Sequence, residues 1–353
     1  MRVRMAFACA LFCALLSPSA LAHDPNAPSS DTFTAILKSL KKLTRADLAV
    51  IMQRVDANDP RAQMLLAIIY RDGLLVQGDS DAYLKFLKAS AEQGYAAAQT
   101  ELGSYYAVNG KVDDATGWFE KAALQGNMDA EYDLAMVYSK AEAVTENSAG
   151  MVKALPFFRR AAMQGHPIAQ FIMALAYHEG RLVERDEQQC KKWMLASAEQ
   201  GYSKAQFSVA ARHYLVSEFD NAFTWFKRAA EQKHPRAELN LASMYYVGQG
   251  TTKDLQQAMY WYQRAAEHGE SSALRMIGSM YRSGVGVEKD PVASYTYLQA
   301  AAAAGDQQAS LEAAKAAGLL SEDQRLEASR RVSSLVSSKE KLEGTGTLAI
   351  SKP

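Results

Sequence analysis

Four scarcities bound what this 353-residue chain can be. Cysteine is the first: Cys9, Cys13 and Cys190 are all it has, too few for a disulfide-stapled scaffold. Net charge is the second, because 39 Lys and Arg balance 39 Asp and Glu. A neutral chain has no general electrostatic pull on nucleic acid or an anionic lipid surface. The third is the Asn-x-Ser/Thr acceptor, which is missing altogether; that suits a bacterial envelope protein better than a eukaryotic lumenal one. The fourth is long apolar stretches. The run from Met5 to Leu16 is too short to span a bilayer, and no later run is longer.

What that first run does offer is a secretory address. Arg2 and Arg4 precede it, and Ser17-Pro18-Ser19-Ala20-Leu21-Ala22 follows. Ala20-x-Ala22 is the small-residue pattern a signal peptidase needs, so residues 1–22 are expected to leave, with cleavage before His23 and a periplasmic or secreted destination. Cys9 and Cys13 leave with them, and neither sits where a lipid anchor would form. Removing Arg2 and Arg4 and no acid leaves 37 basic and 39 acidic groups, a formal charge of −2.

The mature chain is periodic. Trp118, Trp193, Trp225 and Trp261 each lie eight residues before a turn position, held by Gly126, Gly201, Lys233 and Gly269. Asn58, Gly94, Gly165 and Gly305 extend the series, with spacings of 36, 32, 39, 36, 32, 36 and 36 residues along the chain. Counting from each turn as zero, position +4 is alanine in every copy, from Ala62 and Ala98 to Ala273 and Ala309. Position +8 reads Leu66, Leu102, Leu134, Met173, Val209, Leu241, Ile277 and Ala313. Position +12 reads Tyr70, Tyr106, Tyr138, Tyr177, His213, Tyr245, Tyr281 and Ala317. Steps of four trace one face of a first helix, A. A second helix, B, brings Phe86, Trp118, Phe157, Trp193, Trp225, Trp261 and Tyr297 eight residues before the next turn, with alanines such as Ala91, Ala123 and Ala230 three before it. Large rings facing small alanines are expected to interdigitate, with Trp225 as a core residue. Pro60, Pro167 and Pro235 open helix A, where no backbone donor is needed, and the turn residues suit the left-handed end of helix B.

The unit Gly269-x3-Ala273-x3-Ile277-Gly278-x2-Tyr281-x2-Gly284-x-Gly286, with Ala258-x2-Trp261-Tyr262-x-Arg264-Ala265-Ala266 on helix B, resembles the Sel-one-like repeat of the tetratricopeptide-like superfamily. The resemblance covers residues 58–317 and implies an all-α, α/α superhelical solenoid of about seven helix-turn-helix repeats. It departs from the pattern at Lys233, at His213 and in an extended loop over Ser139–Gly150. Residues 23–30 are expected to link, 31–57 to cap the stack with two short helices, 318–338 to cap the far end, and 339–353 to form a tail. Thr44-x-x-Asp47 and Ser321-x-x-Gln324 are capping-box patterns in those flanks.

Catalytic chemistry is hard to find. Ser39-x-x-Lys42 and Ser338-x-x-Lys341 match a β-lactamase nucleophile motif without its companions, and this chain lacks the paired cysteines of the β-lactam-linked members of the family it resembles. His178-Glu179 has no second histidine at helical spacing, and the other histidines are scattered, so no metal and no cofactor are expected. Cys190 occupies a place where other copies have Ala115, Ala154, Ala222 or Ala258, which reads as a small buried hydrophobe.

What remains is surface. In tetratricopeptide-like solenoids the stripe at +3, +6, +10 and +13 lines the concave groove, and the resemblance implies the same here. Position +6 gives Tyr132, Phe171, Phe207 and Arg275; position +13 gives His178, Tyr214, Tyr246 and Arg282. Aromatic and arginine side chains concentrate binding energy, so these eight are the candidate partner-binding residues, with +6 equally consistent with simple packing between helices. The expectation is a non-enzymatic exported adaptor for a protein or extended peptide. The alternatives are a multi-partner scaffold of envelope secretion, polysaccharide or cell-wall assembly, or a hydrolase of cell-wall or β-lactam-like substrates. Neither nucleic acid nor a membrane span enters any of them.

Overall fold

The computed structural model describes residues 43–141, 149–180 and 182–332. The expected signal, the linker, the first capping helix, the tail and both Ser-x-x-Lys motifs lie outside them. The chain divides into two compact units, one up to Cys190 and one from Lys191, and among the described residues every regular element is a helix.

The first unit begins with α1 (Arg45–Asp56), opened by the expected capping box: Asp47 N–H donates to the Thr44 hydroxyl and Thr44 N–H to the Asp47 carboxylate. Three helical hairpins follow, α2 (Pro60–Asp72) with α3 (Ser80–Glu92), α4 (Ala96–Val108) with α5 (Val112–Leu124), and α6 (Met128–Ala141) with α7 (Ala149–Met163). Next comes α8 (Pro167–Glu179), and the start of α9 (Glu187–Glu199) ends the unit. The second unit contains most of α9, the hairpins α10 (Ser203–Leu215) with α11 (Phe219–Glu231), α12 (Pro235–Val247) with α13 (Leu255–Glu267), and α14 (Ser271–Ser283) with α15 (Pro291–Ala303), and finally α16 (Gln307–Ala317). A last helical stretch, 322–332, opens on the Ser321–Gln324 capping box, in which both reciprocal bonds form. Each hairpin's B helix also packs on the A helix that follows it, as α5 does on α6 and α11 on α12. Of the segment expected as a loop over Ser139–Gly150, the first three residues belong to α6 and the last two to α7; 142–148 lie outside the described residues.

The periodic positions have one physical cause each. All eight turn residues take a positive φ, from 61° at Asn58 to 105° at Gly165, Lys233 included at 64°. Seven of them are glycine or asparagine because a left-handed residue ending a helix is otherwise strained. The alanine at +4 is fully buried in every copy and the residue at +8 is buried in every copy, since a larger side chain at +4 would hold neighbouring helices apart. Gly250, at φ 64°, is fixed by contact: an added Cβ would collide with the Phe219 carbonyl.

Helix B corrects the sequence reading. Its buried stripe runs eleven, seven and four residues before the turn, as in Ala222, Phe226 and Ala229. The deepest large side chains are therefore Leu87, Phe119, Phe158, Met194, Phe226, Tyr262 and Leu298, each one residue after the aromatic expected to fill the core. Trp118, Trp193 and Trp225 flank that stripe and are half-buried; Trp261 is the exception, at 9 % exposure. The flanking rings meet the +12 tyrosine of their own hairpin, as in Tyr70–Phe86 (5.9 Å), Tyr138–Phe157 (5.7 Å) and Tyr281–Tyr297 (5.7 Å). Cations one turn on cover several of them: Lys121 over Trp118, Arg160 over Phe157 and Arg228 over Trp225.

Candidate functional site

The candidate residues divide between the units, Tyr132, Phe171 and His178 in the first and Phe207, Tyr214, Tyr246, Arg275 and Arg282 in the second. Position +6 turns out to serve the seam between successive A helices. In four copies its side chain meets the residue that opens the next A helix. Thr100 donates to Asn127 (3.2 Å), Tyr132 stacks on His166 (4.1 Å), Phe207 stacks on His234 (4.8 Å) and Arg275 donates to Asp306 (2.9 Å). Tyr132 and Phe207 are half-buried as a result, and Phe171 is half-buried too. Tyr132 and Phe207 also lean on Phe158 and Phe226.

Position +13 stays outside. His178 is exposed, with Nδ1 3.0 Å from the Glu187 carboxylate. Tyr214 is 38 % exposed; its hydroxyl donates to Gln249 and its ring meets Phe219 and Phe226 edge-on. Tyr246 is half-buried beneath Lys253, whose ammonium lies 5.9 Å from the ring centre. Beside the two tyrosines, Leu215 (82 %), Val216 and Val247 are exposed. Arg282 donates to Glu312 at 2.9 Å. Because Arg275 and Arg282 each meet an acid from the next A helix, the end of the stripe expected to be basic is largely neutralised. In the first unit the neighbouring positions are acidic. There burial, and then the charge of Asp129, push the Asp133 carboxyl up to about 6.

The histidines at the seam are caps. His166 Nδ1 accepts the Ala169 N–H and His234 Nδ1 accepts that of Ala237, so each carries its proton on Nε2. Burial lowers both, His166 to about 4. The 4.0 Å approach of His166 to Asp129 is therefore no ion pair at neutral pH.

Position +5 carries no expectation from the sequence pattern, yet it forms a recurring clasp. It holds Gln63, Gln99, Glu131, Gln170, Gln206 and Glu238, all buried. The residue before the next turn reaches back to it: Gln93 to Gln63 (2.7 Å), Gln125 to Gln99 (2.8 Å), Gln164 to Glu131 (2.7 Å) and Gln232 to Gln206 (2.7 Å). The glutamines also donate backward, Gln99 to the Ala91 carbonyl and Gln206 to that of Ala198. A polar residue recurring directly after a buried alanine was the available signal.

Two further places invite chemistry. A depression of about 500 Å³ at the end of the second unit is lined by Tyr295, Gln299, Ala313, Ser329 and Val332, which include no acid–base pair. In the first unit, ligand atoms of His178, Glu187 and Cys190 lie within 4.8 Å of one another. No helix among the described residues is long and apolar enough to cross a membrane.

Comparison with known proteins agrees with this geometry. Segments 60–95, 96–127, 129–166, 167–202, 203–234, 235–270 and 271–306 each match the family described as Sel1 repeat. No curated protein matches the chain. Among solved structures, c5321, a protective antigen present in uropathogenic Escherichia coli strains that displays an SLR fold, is 23 % identical. The similarity covers 87 % of this chain and 75 % of that one, with a TM-score of 0.58. A Sel1 repeat protein from Oxalobacter formigenes is 27 % identical over 86 % of this chain and 93 % of that one, with a TM-score of 0.56. With seven matched repeats built as consecutive helical hairpins, the chain belongs to the Sel1 repeat family, whose members are generally protein-interaction scaffolds.

Proposed function

We propose that this protein is an exported, non-enzymatic adaptor that holds a protein or extended peptide along its A helices. The observation that carries the reading is the exposed apolar rim of the second unit, where Tyr214 and Tyr246 stand beside Leu215, Val216 and Val247. Apolar side chains left in water on a folded repeat array mark a place for a partner. Within that unit Phe207 and Tyr214 both lean on Phe226, and Arg275 and Arg282 supply its polar side chains; Tyr132, Phe171 and His178 are the corresponding candidates of the first unit. Export is supported by Arg2, Arg4, the Met5–Leu16 run and the Ala20-x-Ala22 pattern.

The test is capture from the bacterial envelope by the Tyr214→Ala, Tyr246→Ala double variant. Capture is expected to vanish while melting falls by only a few degrees, since both rings are partly exposed. Retained capture places the binding surface elsewhere. A second reading, a scaffold with partners on several faces, draws on Leu124 and Met163, exposed apolar residues near the ends of B helices in the first unit. Photocrosslinkers at Leu215 and at the exposed helix-B residue Gln263 separate the two, because an adaptor yields products from Leu215 alone.

A further inference from the structure

The histidines of the chain are scattered, yet one of them meets a carboxylate and a thiol. We propose that His178, Glu187 and Cys190 form a binding site for a borderline divalent transition ion, with zinc the best chemical match. His178 ends α8, and Glu187 and Cys190 lie one turn apart at the start of α9, so the α8–α9 connection folds the three together. Their ligand atoms lie within 4.8 Å of one another, and His178 Nδ1 is already 3.0 Å from Glu187 Oε1. Imidazole nitrogen, carboxylate oxygen and thiolate sulfur are the three donor types zinc accepts, and three protein ligands with a fourth position for water is its open coordination.

The repeat supplies an independent reason. The place of Glu187, fourteen residues before the turn, is held elsewhere by residues such as Val112, Phe219 and Leu255. That of Cys190 is alanine in four other copies, and that of His178 is tyrosine in the next two. No other copy carries a histidine, an acid or a cysteine at these three places, and in this one they converge on one point. Packing alone accounts for a cysteine in place of alanine; it does not account for an acid and an imidazole aimed at the sulfur's surroundings. Arg185 also reaches Glu187 Oε1, at 3.1 Å, but its side chain is 65 % exposed and can turn to solvent when a cation takes that oxygen. Cys190, at 1 % exposure, supplies the water-poor wall of the site. Binding replaces the thiol proton, which leaves to solvent as the metal–sulfur bond forms, with no change of oxidation state.

Cobalt(II) titration of the reduced full chain tests the proposal independently of any partner. One equivalent is expected to bring a thiolate-to-cobalt charge-transfer band with the intense visible bands of four-coordinate cobalt, both erased by added zinc. Cys190→Ala places in this copy the residue four others carry, so its circular dichroism and melting should be kept while the charge-transfer band is lost. His178→Ala and Glu187→Gln should keep the fold and weaken cobalt binding. No charge-transfer band at one equivalent, its survival in Cys190→Ala, or unchanged affinity in His178→Ala would overturn the proposal.

Discussion

The fifth and sixth copies, α10 with α11 and α12 with α13, solve one packing problem with different side chains. Their buried polar position is Gln206 in one and Glu238 in the other. A glutamine can donate and accept at once. Gln206 gives a hydrogen bond to the Ala198 carbonyl and takes one from Gln232. A glutamate can only accept, and Glu238 is fully buried, so both its oxygens need donors: Arg264 Nε at 3.3 Å and His268 Nδ1 at 2.7 Å. Arg228 sits at the phase of Arg264, but in the neutral copy it lies over the Trp225 ring, 4.6 Å from its centre. The same arginine is thus surface decoration in one copy and the counter-charge of a buried acid in the next. The first unit repeats the charged solution at Glu131, with Arg160 and Gln164.

The largest expected effect separates the core stripe from the rings beside it. Phe226→Ala in the fifth copy should cost about 3–5 kcal/mol, the range for truncating a buried aromatic. Trp225→Ala should cost less, about 2 kcal/mol, because part of its surface already faces water. In the sixth copy both Trp261 and Tyr262 are buried, so their alanine variants should differ less. Urea unfolding of the four variants checks the ordering, and equal losses for Phe226 and Trp225 would remove the distinction.

The next effect tests the two arginines. Arg264→Ala leaves the Glu238 carboxylate with one donor and should cost about 2–3 kcal/mol. Arg228→Ala gives up an exposed ring contact worth about 0.5–1 kcal/mol. Adding Glu238→Gln to Arg264→Ala recreates the neutral solution, and most of the loss should return. A double variant no better than Arg264→Ala would show that the arginine acts through packing on Tyr260 and Trp261 rather than through charge.

How much of this was legible depended on whether a position has one physical cause. A left-handed turn or an alanine pressed between helices shows itself residue by residue, and alignment extended it even to Lys233. The order of Trp225 and Phe226 did not show, because both are large and apolar and periodicity blurs adjacent phases. Nor did the fate of Phe207, which is settled by His234 in the following copy rather than by its own helix. The clasp at +5 was visible as a recurring polar residue, but its partners lie about 30 residues away along the chain. The meeting of His178 with Cys190 depends on the path of one connecting segment, which no repeat pattern encodes.

The smallest effect concerns the caps, where the fifth and sixth copies differ again. Tyr202 opens α10 without a side-chain cap, whereas His234 opens α12 through Nδ1. His166 does the same for α8 in the first unit, and burial holds it down to about 4. A capping nitrogen that accepts an N–H has no room for a second proton, so the native state resists protonation that the unfolded chain accepts near 6.5. The sign follows: this stability is complete above about pH 6.5 and is lost as the pH falls toward about 4. The neighbouring Asp129 would ease an imidazolium, so the loss attributable to His166 should be about 1–2 kcal/mol. Asp133 works the other way, its raised carboxyl gaining stability as the pH falls from about 6 toward its ordinary 3.8, so the wild-type slope alone is ambiguous. His166→Asn resolves it, because asparagine caps as well as histidine and does not titrate. Unfolding free energies of variant and wild type should run parallel above pH 6.5 and separate below it, with the variant less sensitive to acid. Parallel curves down to pH 4 would mean that His166 is not held neutral in the folded chain.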